Sequence, residues 1–128
     1  MKVLGVSWVG TRTNNFNSCL EFFEQVLGLH RSFVERDFAV LKTPSGDAVE
    51  IFGPAAELSE PAQFERNPVV VGLLVDDIDS ARVAIEAAGA TLLGDVVRTA
   101  EGYAWQHFIG PDGNTWELTY DPDHPAMR

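Results

Sequence analysis

The sequence predicts an α+β fold, in which two tandem βαβββ units form an open, partly closed sheet around a cavity. Three features predict it: an internal repeat, apolar spacing that alternates between strand and helix periods, and a hairpin turn placed alike in each copy. The repeat is gap-free over its first block. WVGTRTNNFNSCLEFFE from Trp8 aligns on VVGLLVDDIDSARVAIE from Val70, setting Gly10 on Gly72, Asn15 on Asp77, Ser18 on Ser80 and Glu24 on Glu86. PSGDAVEIF from Pro44 then aligns on PDGNTWELT from Pro111, setting Glu50 on Glu117. Between the two blocks the second copy holds five further residues, which the polar stretch Asp95 to Tyr103 accommodates.

Each unit reads in the same order. A β-branched strand, Val6 to Thr13 or Val69 to Val75, leads to Asn14-Asn15 or Asp76-Asp77, residue types that cap helix N-termini. In the first helix Phe16, Leu20, Phe23 and Leu27 recur at helical spacing, and in the second Ile78, Val83 and Ile85 with the alanines do so. Gly28 and Gly89 end the helices, as suits a left-handed C′ residue. Three strands finish each unit: Leu29 to Glu35, Asp37 to Thr43 and Asp47 to Gly53, then Thr91 to Val97, Tyr103 to Gly110 and Asn114 to Tyr120. The expected division of one domain is a first unit over 1–56, a linker over 57–68 crossing the surface, a second unit over 69–120 and a tail over 121–128.

Turn chemistry fixes the faces. Gly110-Pro111-Asp112-Gly113 suits a type I turn closed by a left-handed residue, so Gly110 pairs with Asn114. Counting outward sets Phe108 opposite Trp116 and His107 opposite Glu117, and in the first unit Val40 opposite Glu50. Phe108, Trp116 and Leu118 then face one helix, and Leu41, Val49 and Ile51 the other. The opposite side of the sheet carries Glu50, Glu117, His107, Trp105, Phe38 and Phe52, with Trp8 from the first strand. Ionisable groups among aromatic side chains on a concave face make a small-molecule pocket, although Trp8 suits a core equally well. The carboxylates also suit a buried structural network.

Composition narrows the classes. Nine Lys and Arg stand against nineteen Asp and Glu, a formal charge of −10, and no basic patch is interleaved with aromatics, so neither nucleic acid nor an anionic membrane is an expected partner. No apolar run approaches the roughly 20 residues of a membrane helix, and MKVLGVSWVG lacks signal-peptide character, which makes the cytoplasm the expected compartment. The lone Cys19 lies among apolar helix positions and reads as a packed thiol. His30 reads as surface, and His124 as part of a loosely held tail unless that tail docks.

The tandem units, together with FFEQVLGL, SGDAVEIF, VDDIDSARVAIEAAGA and FIGPDGNTWEL, resemble the vicinal oxygen chelate superfamily, which includes glyoxalases, extradiol dioxygenases, epimerases and bleomycin-resistance proteins. The resemblance spans about Val6 to Tyr120. It implies a divalent metal held by one residue from the first strand and one from the last strand of each unit. Carried over, these positions are Trp8, Glu50, Val70 and Glu117, of which only the glutamates can ligate. The expectation is therefore a small-molecule-binding protein without the catalytic metal. A second set, Glu50, Glu117 and His107, is the candidate should a divalent metal bind. The alternative is a metal-dependent or carboxylate-dependent lyase or isomerase moving a proton on a small carbonyl compound through Glu117 and Glu50, with His107 orienting Glu117 or acting as the partner acid. The resemblance also implies a homodimer that covers exposed strand edges.

Overall fold

The computed structural model describes residues 1–127. Its strands are β1 (Val3–Arg12), β2 (His30–Glu35), β3 (Phe38–Lys42), β4 (Ala48–Phe52), β5 (Val69–Val75), β6 (Thr91–Arg98), β7 (Ala104–Ile109) and β8 (Thr115–Tyr120). Helices α1 (Phe16–Glu21) and α2 (Ile78–Ala87) follow β1 and β5. All eight strands form one mixed, open sheet in the order β2-β3-β4-β1-β5-β8-β7-β6. This order is two mirrored four-strand blocks joined at an antiparallel β1–β5 seam. Within each block the first and last strands run parallel, β1 with β4 and β5 with β8.

The hairpin registers follow the turn count. Val40 pairs with Glu50, His107 with Glu117, Phe108 with Trp116, and Gly110 N–H donates to the Asn114 carbonyl at 3.0 Å. One cluster packs Ile78 and Ala81 of α2 on Val75, Ala104, Phe108 and Leu118; another packs Phe16 and Leu20 of α1 on Ala39, Leu41 and Ile51. Alternation drives both, because a strand presents every second side chain to its helix. The additional residues of the second copy lie in a register shift between Leu93 and Val97 and in the loop before β7, closed by Thr99 N–H on the Tyr103 carbonyl at 2.8 Å.

Several expectations change. Only Asp77 caps its helix, accepting from the Asp79 and Ser80 amides at 3.1 Å each. Asn15 makes no side-chain cap, and its own amide instead donates to Thr13 Oγ1. The first helix does not keep its 3.6 period to Gly28: Phe22–Val26 is π-helical, with Leu27 N–H bonded to the Phe22 carbonyl. The extra residue in that turn rotates Val26 and Leu27 to solvent, so Leu27 is not core. Val83 is also exposed, because Ile78, Ala81 and Ile85 define the inner face of α2 and Val83 projects well away from it.

The segment between the units is more than a surface crossing. Ala56, Leu58 and Phe64 pack on a third cluster containing Trp8, Ala48, Phe52 and Val70, making the segment a strap across the concave face. Asp37, at φ 58°, anchors its start through Gly53 N–H on its carbonyl and Ala55 N–H on Oδ2. Asn67 anchors its end, accepting from Thr115 N–H at 2.7 Å and donating to the Val69 and Thr115 carbonyls. The tail docks within the same chain, where the His124 Nε2 and Asp47 Oδ1 atoms lie 2.9 Å apart.

Candidate functional site

Two glycines shape the centre of the concave face. The parallel pairings place Gly10 beside Glu50 and Gly72 beside Glu117, while the seam sets Trp8 opposite Gly72 and Gly10 opposite Val70. The Trp8 indole lies over Gly10, where a Cβ would collide with its ring, and a Cβ on Gly72 would come within 2.9 Å of Trp8 Cβ. The matched glycines thus leave the gap into which one tryptophan folds flat. Trp8 is 4% exposed, and it serves as core and cavity wall at once.

Around this centre opens a cavity of about 740 Å³. Glu50, Glu117, Trp8, Phe38, Phe52 and Trp105 all line it, so both glutamates meet in one cavity within one chain. His107 does not line it. It is 2% exposed, packed edge-on to Trp8 at 6.4 Å between ring centres, with Nε2 2.8 Å from Glu117 Oε2. That contact is short enough for an ion pair, but it lies off the ring N–H direction and leaves Nε2 without a directed hydrogen bond. His107 thus contacts Glu117 from outside the cavity lining.

The strap and two turns contribute residues beyond those expected. Tyr103, Glu35, Arg36, Glu57, Ser59 and Gln63 line the cavity, and Trp105 Nε1–H donates to Ser59 Oγ at 3.1 Å. Tyr103 was within reach of sequence reasoning, since it shares the parity of Trp105 and His107. The strap residues carry no such signal, because irregular chain has no period.

Burial first, and then the Glu117 charge, push the Glu50 carboxyl from 4.5 up to about 7, against the opposing pull of Trp8 and Lys42. Burial also raises Glu117, with the His107 contact opposing it. Tyr103 is held above the ordinary phenol range by burial and by Glu117, Glu50 and Asp121, so its hydroxyl stays a hydrogen-bond donor. The site can therefore exchange a proton near neutrality at Glu50 and offer a neutral phenol beside it.

Only half of the implied donor set carries ligating atoms. Of the four positions that the resemblance implies, Trp8 lays a carbon ring across the gap and Val70 is wholly buried. Among the described residues no group of three or more His, Cys, Asp or Glu side chains is arranged to hold a metal ion, and Glu50, Glu117 and His107 form no such group. Among those residues, too, no helix is long and apolar enough to cross a membrane.

The family model described as Glyoxalase/Bleomycin resistance protein/Dioxygenase superfamily matches residues 5–118. Comparison with curated proteins gives no match. Among solved structures, a single-residue variant of Streptomyces coelicolor methylmalonyl-CoA epimerase in complex with 2-nitronate-propionyl-CoA is similar, with TM-score 0.69 and 19% identity over 94% of this chain and 99% of that one. The Mn(II)-bound glyoxalase from Novosphingobium aromaticivorans gives TM-score 0.73 and 23% identity over 94% of this chain and 40% of the other. Methylmalonyl-CoA epimerase from Mycobacterium tuberculosis gives 0.67 and 20% identity over 92% and 88%. At such identities these structures share the fold.

Proposed function

This chain belongs to the Glyoxalase/Bleomycin resistance protein/Dioxygenase superfamily, and on that premise we propose that it is a small-molecule-binding protein working without a metal. One observation carries the reading. The aromatic-walled cavity of about 740 Å³ keeps both glutamates, while Trp8 and Val70 stand where two further ligands would be required. Trp8 and Trp105 supply the planes against which a flat or apolar molecule stacks, and the carboxyls fix its orientation. Edge strands β2 and β6, with Phe33 of β2 exposed, suit a homodimer, which sedimentation of the purified chain tests.

A thermal-shift compound screen tests the function, since a ligand present at about 100 times its Kd stabilises the native state by roughly 2.7 kcal/mol. Binders should quench tryptophan fluorescence, and the quench should weaken in both Trp8→Phe and Trp105→Phe. Elemental analysis of chelator-free protein should show no stoichiometric metal. A bound metal that is lost in Glu50→Gln would overturn the proposal.

The pKa of Glu50 favours a second reading, proton transfer on a small carbonyl compound. Glu50 would take the proton and return it to the product, and the Tyr103 phenol would hydrogen-bond the oxygen that gains charge. Exchange of a bound ligand's acidic C–H in heavy water, lost in Glu50→Gln while binding persists, separates this reading from simple sequestration.

A further inference from the structure

We propose that the cavity selects a cationic amine, with a positively charged nitrogen seated over Glu50 and Glu117 and an apolar or aromatic body against Trp8 and Trp105. This rests on the reading of the cavity as a small-molecule site and adds the charge of the ligand.

The first support is an unmet pairing. Among the described residues neither Glu50 nor Glu117 forms an ion pair with a lysine or arginine; Lys42 acts on Glu50 only through space, and Glu117 touches imidazole. Without a cationic partner a buried carboxyl keeps its proton instead, as Glu50 does up to about pH 7, so a cation seated over the pair is what would let both groups ionise. The second support is the wall. Trp8, Trp105 and Tyr103 surround the floor, and aromatic faces carry the negative side of a quadrupole that attracts cationic nitrogen. The third is the mouth, where Glu35 and Glu57 outnumber Arg36. An anionic ligand would meet four carboxyl groups and one guanidinium. A neutral ligand would leave Glu50 protonated and gain nothing from the charge of the floor.

The same geometry makes binding depend on pH. Glu50 faces Glu117 from β8, Tyr103 ahead of β7, Trp8 from β1 and Lys42 from β3, while Glu35 and Arg36 from the β2–β3 turn and Glu57 from the strap share the cavity. Its raised pKa means that a cation gains most where Glu50 is ionised, so amine binding expels a proton below about pH 7.

Calorimetric titration of the whole chain with naphthylmethylamine, naphthylmethanol and naphthoate, at about pH 6 and about pH 8, tests the proposal. The amine should bind about tenfold or more tighter than the alcohol, and naphthoate most weakly. Amine affinity should rise with pH, with proton release seen as a dependence of the heat on the buffer. In Glu50→Gln the preference for amine over alcohol should collapse while alcohol binding is kept. Alcohol binding as tight as amine binding, or tighter naphthoate binding, would overturn the selection for charge and leave the small-molecule site standing. If none of the three binds, the charge of the compounds found by thermal shift decides: cations support the proposal, and neutral or anionic binders refute it. An empty thermal-shift screen would remove the small-molecule reading and this inference together. The wild-type titrations alone already decide the matter if the variant folds poorly.

Discussion

Replacing Glu50 with glutamine should stabilise the protein at neutral and alkaline pH and change it little in acid. The rise of the Glu50 carboxyl from 4.5 to about 7 means that the folded chain holds this proton far more tightly than the unfolded chain. Below about pH 4.5 both states carry it, and the stabilising effect of the bound proton is complete. Between about 4.5 and about 7 the unfolded chain has released the proton while the native chain retains it, so stability falls as pH rises. Above that window both are ionised, and the deficit is constant. At about 1.4 kcal/mol for each tenfold difference in proton affinity, the whole effect is roughly 3 kcal/mol. Glutamine keeps the shape of the protonated acid and cannot ionise. Part of its benefit comes from relieving Glu117, whose own proton Glu50 would otherwise influence. Urea unfolding of both proteins, followed by far-ultraviolet circular dichroism from about pH 4.5 to about pH 8.5, measures the difference. The gap should open across the window and reach roughly 3 kcal/mol, or about 10 °C in Tm for a chain of this size. A difference that does not vary with pH, or a variant less stable throughout, would refute the picture of a desolvated, unpaired carboxyl.

Gly10→Ala should destabilise by about 1–3 kcal/mol, because the new methyl must displace the Trp8 ring, and loss of near-ultraviolet tryptophan dichroism should accompany the fall in Tm. Asp77→Ala should cost about 1 kcal/mol in urea unfolding, whereas Asn15→Ala at the matching position should cost almost nothing, since only Asp77 bonds its helix. Trp105→Phe removes the bond to Ser59 Oγ, at a cost of about 1 kcal/mol, and hydrogen exchange should quicken in the strap around Ser59 more than in β7.

How far the sequence reaches is clearest in particular residues. His107 opposite Glu117 and Val40 opposite Glu50 follow from a turn and an alternation, and the structure has both pairings. The same logic places Trp105 and Phe38 on the face that becomes the cavity. It does not tell how deep a side chain sits, so His107 shares the face of Glu117 yet lies outside the cavity lining. Nor does helical spacing anticipate the π-helical turn that sends Leu27 outward, since one added residue per turn leaves no mark on a pattern read at 3.6.

The repeat, the two βαβββ units and the register of their hairpins are legible in the residues alone, because turn chemistry and side-chain alternation act over a few neighbouring residues. The packing of distant segments sets the β1–β5 seam, lays Trp8 across Gly10 beside Gly72, and brings the strap from Ala55 to Gln63 over the cavity as its wall. It also sets the proton affinity of Glu50, for desolvation and the charge of Glu117 arise only when segments far apart in the chain exclude water from the same space.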